Sequence, residues 1–174
     1  MARFGGIGRT GCVLLIGVGL LAARGAAAPA AGPQEVSVVG LFVERETGTP
    51  TIVLEGKRDQ RRFAMVIGHA EATGIAVPLS NVTPPRPLTH DLFLTLFGRL
   101  NVAVSRVVIT DLRDNTFYAV VYLTAGGSTL ELDARPSDAI ALAIRAKAPV
   151  FAEDRVFEKS ARPPTAPGTP GNRI

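Results

Sequence analysis

The chain has 174 residues, a formal net charge of +4, 47% hydrophobic residues, one cysteine and no tryptophan. This composition excludes an intrinsically disordered chain and fits one or two small globular domains. A lone cysteine also excludes an internal disulfide framework.

Residues 1–30 begin with Arg3 and Arg9, run apolar from Cys12 to Ala23 and end in Ala28-Pro29-Ala30. This is the pattern of a secretory signal peptide, with cleavage expected after Ala30. The apolar run stops at Arg24, short of the roughly 20 apolar residues that a spanning helix needs. An exported protein, periplasmic or secreted, with no membrane anchor after cleavage, is therefore expected. Cys12 opens the apolar run and leaves with the signal, so the product has no thiol for metal binding or nucleophilic attack. Loss of Arg3, Arg9 and Arg24 from 19 basic residues, against 15 acidic ones, leaves a formal charge of +1. A global electrostatic attraction to nucleic acid is thereby excluded, and any such binding must be local.

At the other end, residues 160–174 are rich in proline and glycine and nearly without large apolar side chains. Burial there cannot offset the entropy of ordering, so a disordered tail is expected. Residues 35–159 remain, a usual size for a single domain.

Val36 to Arg45 and Thr51 to Glu55 are β-branched, apolar runs separated by a Thr47-Gly48-Thr49-Pro50 turn, and Arg62 to Ile67 adds a third strand. The tip between the second and third strands holds Lys57, Arg58, Arg61 and Arg62, which a solvated turn explains. Glu71, Ala72, Ile75, Ala76 and Leu79 share one face of a short helix that ends or kinks at Pro78. Thr83 to Pro87 is a stiff linker to Thr89, the expected N-cap of a second helix faced by Leu92, Phe93, Leu96, Phe97 and Leu100. This apolar face predicts the strongest helix in the chain.

Val102 to Leu112, Phe117 to Thr124 and Thr129 to Asp133 follow with short connections, which force an antiparallel meander. The middle strand is apolar on both faces and is expected to be covered on both. Pro136 then opens a helix continued by Ile140, Ala143, Ile144 and Lys147. Val150-Phe151 and a small helix close the domain. The predicted class is α+β: a single domain of mainly antiparallel sheet, built from hairpins and a meander, with two or three packed helices.

Five stretches carry a resemblance: Ile67-Gly68 with Glu71-Ala72, Pro84 to Leu92, Arg106 to Ala119, Asp133 to Ala143, and Ala148 to Phe151. In their order and spacing they resemble the bifunctional nuclease domain family of bacteria and plants. Val38 to Leu41 and the Thr47 to Pro50 turn extend the likeness over the whole domain. The resemblance implies an α+β domain that self-associates, and an activity cleaving both RNA and DNA. The first helix departs from the pattern: His69-Ala70 stands where an apolar pair is usual, and Gly74 and Pro78 replace better helix formers.

Cleaving a phosphodiester requires an activated nucleophile, stabilisation of charge on phosphorus and help for the leaving oxygen. His90, Asp91, Asp133 and Asp138 are the candidate catalytic residues. Arg86, Arg113, Arg135 and Ser137 are the candidate substrate contacts. Asp91, Asp111, Asp133 and Asp138, at strand ends or helix starts, are candidate oxygen ligands for Mg²⁺ or Mn²⁺. His69 is a lesser candidate. Asp133 to Asp138 also places a guanidinium, a hydroxyl and free N–H groups at a helix N-terminus, an arrangement suited to an anion. Two functions follow: a nuclease of low sequence specificity acting on RNA and DNA, with divalent-metal assistance, or a noncatalytic, self-associating module with that anion site.

Overall fold

The computed structural model describes residues 32–161. The expected export signal lies outside the described residues, as does the expected 160–174 tail from residue 162 onward; Ser160, its first residue, instead ends the last helix.

Three strands come first: β1 (Gln34–Val43), β2 (Pro50–Gly56) and β3 (Arg62–Val66). Helices α1 (His69–Leu79) and α2 (Thr89–Arg99) follow, then β4 (Val102–Arg113), β5 (Thr116–Ala125) and β6 (Ser128–Ala134). The chain closes with α3 (Pro136–Ala146), β7 (Val150–Ala152) and α4 (Asp154–Ser160). All seven strands form one sheet in the order β3-β2-β1-β7-β4-β5-β6. The hairpins β1-β2-β3 and the meander β4-β5-β6 are antiparallel, as their short connections require. The three-residue β7 joins these halves, antiparallel to β1 and parallel to β4. The fold is α+β, as expected.

Two turns show why the meander is tight. Asp114 (φ 47°) and Asn115 (φ 60°) between β4 and β5, and Gly126 (φ 55°) and Gly127 (φ 83°) between β5 and β6, all have positive φ. Two successive residues of this kind make the two-residue hairpin whose twist matches the strands. Asp, Asn and Gly tolerate that conformation best.

Alternation along the strands puts Ile52, Leu54, Val107, Ile109 and Val121 on one face, fully buried against α3 and its neighbours. α3 is the central helix, with Pro136 buried at its start and Ala139 to Ala143 buried in sequence. Each large side chain so buried contributes about 1.5–3 kcal/mol of apolar transfer. Phe157 of α4 meets Phe63 of β3 edge to face, and Phe63 stacks on Phe117 of β5, sealing one end of this core.

Two packing expectations are corrected. Only one face of β5 is fully covered. Ala119, Val121 and Leu123 are buried, whereas Tyr118, Val120 and Tyr122 on the other face are half-buried. The partial cover includes Arg113 over the Tyr118 ring at 4.1 Å and Arg106 over Tyr122 at 3.9 Å, cation–π contacts on an open sheet face. The second correction concerns α2, none of whose residues is buried. Its Leu94 and Phe97 lean inward, but Leu92, Phe93, Leu96 and Leu100 remain exposed.

Candidate functional site

Three helix starts converge on one cluster. Pro136 sets φ for the first turn of α3, which presents Arg135 just before the helix and Asp138 within it. The Asp138 carboxylate receives Arg135 Nε at 2.7 Å on Oδ2 and Arg135 Nη2 at 3.2 Å on Oδ1. Arg135 Nη1 lies 2.9 Å from Glu71 Oε1 of α1. The hydrogen bonds it donates to Asp138, then the Asp138 charge, hold the Arg135 guanidinium even more firmly protonated than usual. From α2, His90 Nε2 stands 3.4 Å from Asp138 Oδ1. Glu71, Arg135, Asp138 and His90 thus form one continuous polar chain. Its histidine side chain is 14% exposed and its arginine 66% exposed, so the cation is open to solvent beside a sheltered imidazole.

Below this chain, Asp91 has both carboxylate oxygens engaged. Oδ2 accepts the Leu88 N–H at 2.8 Å and Oδ1 accepts Arg145 Nε at 2.7 Å. Burial alone raises the Asp91 pKa, but the Leu88 and Arg145 hydrogen bonds and the nearby positive charge outweigh it, and the net shift is downward. The Leu88 contact also corrects the expected cap: Thr89 is already helical, and the Asp91 carboxylate reaches back to the residue before the helix.

Among the described residues, no side-chain hydrogen bond or ion pair joins the remaining sequence candidates to this cluster. Asp111, beside a bulge in β4, receives Lys159 Nζ of α4 at 2.6 Å and lies 3.1 Å from Arg113 Nε. The Lys159 hydrogen bond is the main reason that its pKa is lowered. Asp133 is exposed on the edge strand β6, Arg86 is exposed between α1 and α2, and Ser137 is buried under the start of α3. His69, the first residue of α1, lines a shallow cavity of about 320 Å³ with Leu41, Phe42, Pro50 and Thr73. Among the described residues, no three of His, Cys, Asp and Glu gather to hold a metal ion. Asp91, Asp111, Asp133 and Asp138 therefore do not form one ligand set.

Glu71, Gly74 and Arg145 belong to the site and were not singled out for it from sequence. Glu71 stood in the quoted Ile67 to Ala72 motif without a role. Arg145 carried a readable signal, since positions 138 and 145 share a helical face and Arg145 breaks the Ala, Ile and Leu run that follows Asp138.

Among the described residues, no helix is long and apolar enough to cross a membrane. The bifunctional nuclease domain family matches residues 52–164. An uncharacterized protein of Mycobacterium tuberculosis is 37% identical over 126 residues, covering 72% of this chain and 75% of the relative. Bifunctional nuclease 1 of Oryza sativa subsp. japonica is 35% identical over 81 residues, 45% of this chain and 24% of the rice protein. The Bifunctional nuclease of Oryza minuta matches equally. With a family match over more than half its length and a relative aligned over three quarters of that relative's own, the chain belongs to the bifunctional nuclease domain family.

Proposed function

We propose that the chain is a nuclease that cleaves phosphodiester bonds of RNA and DNA with low sequence specificity, at the cluster of His90, Asp138 and Arg135. The observation that carries this proposal is the 3.4 Å approach of His90 Nε2 to Asp138 Oδ1 beside an exposed guanidinium. In this scheme His90 takes the proton from the attacking hydroxyl or water and later returns a proton to the leaving oxygen. Asp138 orients the ring and stabilises the imidazolium, as a carboxylate does for a catalytic histidine. Arg135 meets the charge developing on phosphorus. Because the contacts fall on phosphate, they carry little sequence information.

Assistance by Mg²⁺ or Mn²⁺, expected from the positions of the carboxylates in the sequence, is an arm of the test, and no step above depends on it. Export is part of the same proposal, supported by the charged start, apolar run and small-residue end of residues 1–30. So is self-association, supported by the exposed Leu92, Phe93, Leu96 and Leu100 stripe on α2.

A second reading, a noncatalytic module binding an anion at the start of α3, draws on the two ion pairs that already occupy Arg135. Incubation of the purified protein with single- and double-stranded RNA and DNA, in Mg²⁺, Mn²⁺ or EDTA, separates the two. Cleavage of both polymers, without a fixed sequence at the ends, is the expected result. Salt-sensitive binding with no cleavage in any buffer selects the module instead.

A further inference from the structure

His90 rests on a network centred on the buried Arg145. Its neighbour Asp91 accepts Arg145 Nε on Oδ1, and Arg145 Nη1 donates to the Gly74 carbonyl of α1 at 2.6 Å and to the Ala141 carbonyl of α3 at 3.0 Å. Gly74 is buried, and the His90 ring lies directly over it. A Cβ added at Gly74 would stand 3.0 Å from His90 Cε1 and 3.3 Å from Nδ1, too close for an unmoved ring. The contacts close a loop: imidazole on Gly74, Gly74 carbonyl on Arg145, Arg145 on Asp91, and Asp91 beside His90 in the first turn of α2.

We infer that Arg145 is a positioning residue, which sets the His90 imidazole against Asp138 by fixing the first turn of α2 and the Gly74 floor together. The inference deepens the nuclease proposal and rests on it for the kinetic part of its test. The guanidinium suits this task because its planar fork reaches acceptors on three helices at once, which a single ammonium on a flexible stem does not do. The side chain is 6% exposed, and its Nη2 is buried without a hydrogen-bond partner. Burying a charge with an unsatisfied N–H adds little net stability. Its consequence is geometric: α1, α2 and α3 are locked in the one arrangement that brings His90 to Asp138. Gly74, which departs from the family pattern as a poor helix former, gives the imidazole its room.

The test compares the purified wild-type chain with Arg145→Met, Arg145→Lys and Gly74→Ala, using two readouts. The first is the nuclear Overhauser contact between the His90 Cε1 proton and the residue 74 α-proton. The second is kcat and KM on single-stranded RNA. Arg145→Met is expected to lose the contact and to lower kcat about 10²-fold with KM unchanged, the usual consequence of displacing a reacting group by about 1 Å. Arg145→Lys should fall between it and wild type. Gly74→Ala, which puts the better helix former in α1 and leaves Arg145 intact, should displace the ring directly, by a few tenths of an ångström, and lower kcat by less than Arg145→Met does. It keeps the inference testable if Arg145→Met fails to fold. A folded Arg145→Met protein with the contact and kcat of wild type overturns the inference, as does Gly74→Ala with wild-type kcat. If wild type cleaves nothing, the nuclease proposal fails by itself. The Overhauser contact in Arg145→Met then decides the positioning role, its loss supporting the inference and its retention overturning it.

Discussion

Asp138 divides its carboxylate between a cation and an imidazole: Oδ2 receives Arg135 Nε at 2.7 Å, while Oδ1 lies 3.4 Å from His90 Nε2. In the proposed scheme the same group orients the base and holds the phosphate clamp; Glu71 pairs with that arginine from the other side. Arg135 should consequently act on substrate binding and on the transition state together. In Arg135→Gln, cleavage kinetics are expected to show a raised KM and a kcat lowered by about 10- to 100-fold. A kcat unchanged from wild type would remove Arg135 from the chemistry.

Lys159 fastens α4 to β4 through Asp111, at 2.6 Å. The lysine side chain is 40% exposed, so the pair is worth about as much as a surface salt bridge. Lys159→Met is expected to lower stability by about 0.5–1 kcal/mol in urea denaturation, with cleavage unaltered. Loss of cleavage in that folded variant would move the functional site toward Asp111.

The acid limb of stability follows from Asp91 and Asp111, both with folded-state pKa values below the ordinary 3.8. A depressed carboxylate stabilises the fold fully above its unfolded pKa, and that contribution is lost as pH falls through the lower folded value. The thermal midpoint should therefore drop below about pH 4. Asp111→Asn should lower the midpoint at neutral pH and flatten the acid limb, as read by circular dichroism melts from pH 7 to pH 2.5.

Ile109 of β4 is fully buried between the sheet and its helices. Ile109→Ala leaves a cavity where collapse is resisted on several sides, and is expected to cost about 2–5 kcal/mol in denaturant unfolding. By contrast, Leu92 is 64% exposed on α2, so Leu92→Glu should leave the unfolding midpoint nearly unchanged. The same substitution should dissociate the proposed oligomer in analytical ultracentrifugation. An oligomer unaffected by it would place self-association elsewhere.

The hairpins, the meander and Pro136 at the start of α3 were legible because each rests on local chemistry: β-branched runs, turn residues with positive φ, and proline at a first helical position. The seating of β7 was not legible, since three residues pairing with β1 and β4 depend on contacts distant in sequence. The apolar stripe of α2 identified a helix but not which part of it packs, because the apolar arc is wider than the contact and only Leu94 and Phe97, at one edge of it, lean inward. At the site, His90, Arg135 and Asp138 were picked out for their chemistry, but Gly74 read as a flaw in a helix. Only the ring of a residue on another helix explains it.

The central claim is that phosphodiester cleavage runs through His90 and Asp138. Its most direct measurement is the single-turnover cleavage of RNA and DNA by wild type beside identically purified, folded His90→Ala and Asp138→Asn proteins, each with Mg²⁺, Mn²⁺ and EDTA. The account predicts that wild type cleaves both polymers, and that each substitution lowers the rate by about 10²- to 10⁴-fold, as loss of a general base or its orienting carboxylate does. Wild-type rates in either variant, or no cleavage by wild type in any buffer, would contradict it.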